Sequence, residues 1–298
     1  MELDWARLGF AALNGFVWGW ILALMALGLN LIYGILRIVN FAHGALYMLG
    51  AVLAWALWPL LGFWGALIVA PLLVGVLGLG VEWLVLRPIE GRPLLSIIAT
   101  FALMLIIQQT VLLSFGGGQQ QLSNPWNWSF PLFGLRYPGY RLFVALLAML
   151  SVAGLWLFLQ RTQVGRWVRA VSSDGELAAG LGLPVPLVYG LAFGLGSYLA
   201  ALAGVLVAPI VSVDYLMGFD VLIPAFIIVI VGGAGSLGGS LLVALALGEA
   251  ENLLPFLAQP FLGQPMQPTL ARALTLALLI ALLLFRPQGL FGRRTVGP

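Results

Sequence analysis

Long apolar runs separated by short polar stretches dominate the chain. They extend from about Leu8 to Ile32, through a second run ending near Trp58, then from about Leu61 to Leu86 and Leu94 to Phe115. The later runs cover about Leu142 to Leu159, Leu187 to Val211, Leu241 to Leu257 and Leu270 to Phe285. A hydrocarbon layer of about 30 Å needs about 20 apolar residues per helical crossing. The pattern therefore predicts an all-α polytopic membrane protein with about eight transmembrane helices. One stretch does not fit: Asp220 lies too close to the glycine cluster Gly232 to Gly239 for an ordinary crossing. A short helix broken by glycines is expected there, lining a cavity, because unwound backbone cannot face lipid.

Composition removes the alternatives. Of 298 residues, 62% are hydrophobic and 8% charged, against about 25% charged in ordinary soluble domains. Residues 1–298 read as a single transmembrane domain in contact with membrane lipid. All 13 basic side chains are Arg, with no Lys and no Cys. A Walker A loop needs its Lys, so the chain is not itself a conventional P-loop ATPase. One His and no Cys argue against a metal site. The net charge of +3 reads as membrane topology, with no nucleic-acid partner.

Arginine positions give the orientation. Arg87 and Arg92, the loop at about 160–186, and Arg286, Arg293 and Arg294 are expected in the cytoplasm. The segment at about 116–140, with Trp126, Trp128 and Phe130, is expected as an outer interfacial loop, although Arg136 and Arg141 run against the charge rule. The start, with Glu2, Asp4 and Arg7, lacks the pattern of a signal peptide and reads as an uncleaved first helix. Counting back from an inner C-terminus, with the short segment crossing, puts the N-terminus outside.

Candidate chemistry is sparse. Asn40, His43 and Tyr47 fall at helical spacings of three and four and share one face beside Phe41. Such groups either bond between helices or line a permeation path. Glu82, about a turn before Arg87, is placed to pair with an arginine; Glu249 and Glu251 lie within a span and need partners. Gly233, Gly235 and Gly238 match a dinucleotide-binding spacing, but no repeated βαβ unit surrounds them. Ser236 with His43 lacks both the nucleophile elbow and a third orienting group. The polar run Gln160 to Pro186, with Arg161, Arg166, Arg169, Asp174 and Glu176, is expected to form one or two surface helices stopped by Gly180, Gly182 and Pro184. A proton-coupled secondary carrier, with His43, Glu249 and Glu251 as a relay, is the alternative from a different class.

Several collinear motifs resemble one family, the LivH-type permeases of branched-chain amino-acid ABC transporters. They are Gly28 to Gly34 running into Arg37 to Gly44, Glu82 with Arg87-Pro88, and Gly165-Arg166 with Arg169-Ala170. Further along come Ala178 to Gly182, Gly232 to Gly239 and Gly248 to Glu251. The resemblance implies a permease subunit in a bacterial or archaeal cytoplasmic membrane, paired with a LivM-like second permease. Its implied partners are LivG-like and LivF-like ATPases, which would bind ATP and Mg, and an external solute-binding protein; no cofactor is implied in this chain. It further implies ATPase coupling in the polar run, at Arg166, Arg169, Asp174, Glu176 and Gly182; on the reading of the residues themselves, a substrate path is expected at Asn40, Phe41, His43 and Tyr47 with the break at Gly232, Gly233, Gly235 and Ser236 beside them. The chain departs from many members at Pro224, where they carry a basic residue, and the family extends to permeases for urea, amides and other small solutes.

Overall fold

In hydrocarbon, a backbone has to satisfy its polar groups within its own segment, so the apolar runs fold as helices. The computed structural model describes residues 5–291 except 133, 265 and 287; Glu2, Asp4, Arg293 and Arg294 lie outside the described residues. Its helices are α1 (Trp5–Leu36), α2 (Ala42–Val81), α3 (Pro93–Phe115), α4 (Gly139–Arg161), α5 (Gln163–Ser173) and α6 (Gly175–Gly180). They continue with α7 (Val185–Val207), α8 (Met217–Gly232), α9 (Leu237–Leu257), α10 (Gln259–Leu262) and α11 (Pro268–Phe285). Seven helical segments among the described residues are long and apolar enough to cross a membrane, and α8 is a shorter apolar helix.

The expected count of about eight is recovered inside α2. Gly62 interrupts it with φ 65° and ψ −176°, a left-handed conformation that suits a residue without Cβ. Both limbs lie along α3. Phe41, just before α2, stacks near Phe101, Trp55 meets Phe115 at the far end of α3, and Glu82 to Leu86 returns to its start. The second and third predicted spans are thus the two limbs of one hairpin. Glu82–Leu86 closes the second limb as a π-turn, just ahead of Pro88, which has no N–H to continue an α-helical ladder.

At the core, α1 and α7 run antiparallel, and both spans are 83% buried, against 11% for α11. Small residues allow this centre to close. Gly28 touches Gly196 and Leu199, Gly50 lies on Ala201, Gly204 on the Tyr47 carbonyl, and Gly19 on Gly248. α9 is antiparallel to α1, with Gly15 beside Glu249 at one end and Asn30 bonded to Ser240 at the other. Since α7 and α9 point the same way, the chain between them returns across the bundle through α8.

One end gathers Arg37, Arg87, Arg92, Arg161, Arg166, Arg169 and Arg286, which the charge rule assigns to the cytoplasm. The other carries an aromatic cluster in which Trp126 meets Phe63, Trp64, Tyr140 and Phe143. The segment read from sequence as a loop also contains an antiparallel hairpin, β1 (Ser129–Leu132) and β2 (Leu135–Pro138), pairing Phe130 with Tyr137. The Tyr137 hydroxyl donates to Asn14 Oδ1 at 3.1 Å, and Arg141 donates to the same oxygen. Burial raises the Tyr137 phenol above its usual range, opposed by Arg141. The two arginines that run against the charge rule thus belong to a folded cap, with Arg136 in β2 and Arg141 tied to α1.

A side chain on Gly204 would run into the Tyr47 backbone, whereas one on Gly154 would meet nothing within 4 Å. Gly204→Leu should cost at least about 3 kcal/mol and Gly154→Leu should be tolerated, as read by thermal melting in detergent; equal melting of the two would refute this packing.

Candidate functional site

The chain leaves α1 through Arg37, a non-glycine residue with φ 56°, and Ile38 to Asn40 carry it without helical bonds to α2. This stretch runs inward from the arginine-rich end. Thr100 Oγ1 donates to Val39 O at 3.2 Å and accepts from Phe41 N at 3.3 Å, and Thr100 lies about 10 Å into α3 at 1.5 Å per residue. His43 Nε2 lies 3.0 Å from Met25 O, about 17 Å from the end of α1 on the same measure. α2 therefore begins deep within the bundle, and no side chain caps it.

Asn40, just before α2, and His43 and Tyr47 on its first turns are each at most 1% exposed. Phe41 is half-buried, its ring centroid 5.4 Å from Phe226 and 6.0 Å from Phe101. The glycine break lies elsewhere. Gly233 and Gly235 have φ 95° and 85°, and Ser236 caps α9 by accepting from Gly239 N at 3.2 Å. Asn30 holds this elbow, donating to Ser240 Oγ at 2.8 Å and accepting from Gly235 N at 2.6 Å. Gly232, Gly233, Gly235 and Ser236 thus gather around Asn30 of α1, while Asn40 and His43 lie near the opposite end of α8, where Gly44 touches Gly218. Asn30 was legible only as an amide within an apolar run, and sequence reasoning passed over its role.

α8 joins the two groups and keeps one face open. Phe219, Ile223 and Ile230 are 38%, 58% and 46% exposed, and half-buried Phe226 completes a stripe at spacings of four, three and four. Asp220 is exposed in the first turn of this helix, two residues from the contact of Gly218 with Gly44, and a carboxylate there fits a lipid-facing surface poorly. Arg272 of α11 donates to the Asp220 carbonyl and lies 3.6 Å from Glu251, which also accepts from Trp18 Nε1 at 3.1 Å. These contacts give Glu251 a structural role and bring in Arg272, a lone charge in the first turns of an apolar run.

The arginine-rich surface is built from α5 and α6. Thr162 caps α5 through Gly165 N at 2.9 Å, Asp174 caps α6 through Leu177 N at 2.9 Å, and Gly182 ends that turn with φ 82°. Val168, Val171 and Ala178 face inward, while Arg166, Arg169 and Glu176 are exposed. Leu177 and Leu181 are also exposed, at 61% and 75%, on a face outside the membrane-spanning helices. Sequence reasoning singled out the charges and missed these leucines. Arg37 reaches Ser172 O at 3.4 Å and Ser172 Oγ donates to Gly34 O at 2.9 Å, tying this surface to α1. Between them lies a cavity of about 640 Å³. Arg87 crosses its edge, 3.1 Å from Glu82 Oε2 and 3.0 Å from Pro186 O.

Comparisons with known proteins agree with this architecture. A family model described as the permease component of the branched-chain amino acid transport system matches residues 11–283. The chain is 31% identical over 300 residues to the high-affinity branched-chain amino acid transport permease BraD of Pseudomonas aeruginosa, covering 95% of each. It is 29% identical over 304 residues to LivH of Escherichia coli, again covering 95% of each. A probable LivH of Methanocaldococcus jannaschii is 29% identical over 283 residues, covering 91% of this chain and 89% of the relative.

Glu82 is 1% exposed and relies on Arg87 for its charge partner. Arg87→Ala should lower stability by on the order of 3 kcal/mol by stranding a buried carboxylate, with much of the loss recovered by adding Glu82→Gln. Thermal melting of the single and double variants checks this, and additive losses would remove the pairing argument.

Proposed function

The chain belongs to the family of permease components of branched-chain amino acid transport systems, and we propose that it is the membrane-spanning subunit of an ATP-driven importer of these amino acids. The match over residues 11–283 carries this reading, because it covers every long span except the first residues of α1 and the last of α11. Without a lysine, the chain has to draw its energy from separate ATPase subunits. A second permease and an external solute-binding protein complete the assembly, in the cytoplasmic membrane.

In this proposal the solute moves along the open face of α8. Its wall, Phe219, Ile223, Phe226 and Ile230, suits an aliphatic side chain, and Asp220 requires a wet or protein-covered setting rather than lipid. Asn40, Phe41, His43 and Tyr47 form the path wall behind this face. Gly232, Gly233, Gly235 and Ser236 form the hinge-like elbow at its arginine-rich end. α5 and α6 are the coupling surface: Arg166, Arg169 and Glu176 supply charge, Leu177 and Leu181 supply apolar contact, and Asp174 and Gly182 shape the turn that presents them. The bonds from Ser172 to Gly34 and from Arg37 to Ser172 give a rigid route from that surface into α1.

Mass spectrometry of the complex co-purified with the tagged chain should recover two ATPases and a second permease. Recovery of the chain alone would overturn the reading. Burying one leucine supplies about 1.5–3 kcal/mol, so Leu181→Glu and Arg169→Glu should each cut ATPase recovery about tenfold or more with melting of the permease unchanged. Full ATPase recovery with both variants would remove the coupling assignment.

A further inference from the structure

At the start of α2 the protein leaves strong hydrogen-bonding groups without protein partners. Neither side-chain atom of Asn40 is bonded, nor is His43 Nδ1, although both residues are 0% exposed. Buried polar atoms are rarely left this way, because they give up hydration and gain nothing in return. The same place is a helix N-terminus without a side-chain cap, where first-turn amides point outward and the helix dipole favours negative charge. Two independent features therefore meet at one point, an uncapped positive helix end and an enclosed amide with both its functions free.

Their chemistry is specific. His43 Nε2 faces the Met25 carbonyl at 3.0 Å. A carbonyl only accepts, so Nε2 carries the ring proton and Nδ1 offers a lone pair. The site thus has donors, Asn40 Nδ2 and the first-turn amides of α2 other than that of His43, which bonds to Asn40 O at 3.4 Å, beside acceptors, Asn40 Oδ1 and His43 Nδ1. We infer that the start of α2 holds an amino-acid zwitterion during its crossing, with the carboxylate on the helix end and Asn40 Nδ2 and the ammonium on Asn40 Oδ1 and His43 Nδ1. This rests on the permease reading above and names the groups of the solute that the path recognises.

The surroundings agree. Phe41 follows Asn40 in the chain and its ring lies against Phe226 of the open α8 face, so a solute travelling that face with its aliphatic side chain on the stripe passes beside the site. None of the proposed contacts carries a formal charge, so the hold is brief, as a transport step requires. Gly28 sets the ring position: a Cβ there would lie 3.2 Å from His43 Cε1 and 2.7 Å from Gly196 O.

The test uses the whole complex with its ATPases and binding protein in proteoliposomes, with radiolabelled leucine as probe. Asn40→Leu removes an unbonded amide from an enclosed place, so a binding role and a packing role have different signatures. The complex should melt at or above the wild-type temperature, keep its ATPases and lose tenfold or more of its leucine uptake; Asn40→Ala should lose uptake similarly. Uptake at the wild-type rate in either folded variant, or a loss that merely follows a lower melting temperature in both, overturns the zwitterion site alone. An assembled wild-type complex that imports no leucine overturns the functional reading beneath it.

Discussion

The structure depends on one constraint: hydrocarbon offers no hydrogen-bond partner, so each interruption of a helix has to be satisfied by protein. The chain breaks its helices at depth in two places, and each break is held by one short polar side chain. Thr100 bridges Val39 and Phe41 before α2, and Asn30 bridges Gly235 and Ser240 between α8 and α9. The third interruption, at Gly62, lies beside the aromatic cap formed by Trp58, Phe63 and Trp126, near the membrane edge. Thr100 and Asn30 are buried, at 0% and 1% exposure. Each sits on a continuous helix and braces the irregular segment of another.

That bracing works only because the helices approach closely. Glycines on α1, α2 and α7 let backbone meet backbone where larger residues would hold the helices apart, and α1 and α7 consequently form the centre around which the rest is arranged. The discontinuous elements lie on the flank of this centre. α8 rests on α1, α2, α9 and α11 and keeps the stripe from Phe219 to Ile230 open, so a path along it has a fixed wall on one side and leaves the open side for a partner. The arginine-rich surface is tied to α1 through Ser172 and Arg37, the same helix that carries Asn30 and Met25.

Apolar run length was enough to read the class, the approximate spans and the short α8, because a membrane crossing has a fixed length and α8 falls short of it. Arginine bias gave the same end to the coupling segment and the last helix. Other features depend on tertiary position and leave little local trace. Thr100 and Asn30 look like ordinary isolated polar residues in apolar helices until their partners are known. The hairpin at Ser129 to Pro138 contains Pro131 and no β-branched residue, so propensity gives its pairing only the weak signal of Phe130 and Tyr137. For the site, the spacing of Asn40, His43 and Tyr47 was legible, and all three are buried, but only His43 and Tyr47 lie on α2, with Asn40 in the irregular segment before it. The glycine break belonging to Asn30 instead of that group was not legible, since helix periodicity relates neighbours within one helix only. Leu177 and Leu181 were passed over because apolar residues attract no notice in a sequence this apolar.

The placement of charge follows from what such a permease has to do. Formal charges at depth bind charged solutes tightly and cost much to leave unpaired; Glu82 pairs with Arg87 and Glu251 with Trp18 and Arg272, while Glu249, beside Gly15, keeps a buried Oε2 without a protein partner. Where a path is proposed, the groups left free are an amide, an imidazole nitrogen and the end of a helix, all without formal charge. A solute that arrives already selected by an external protein needs no second selective trap in the membrane. It needs a place where its charged ends lose water without losing partners, followed by easy release. Partial charges of fixed direction, in a setting of low dielectric, strengthen hydrogen bonds enough for the first requirement and remain weak enough for the second. On this view the unsatisfied atoms of Asn40 and His43 are part of the resting state of the path: burying them disfavours that closed arrangement and so narrows the gap to one in which the solute bonds to them.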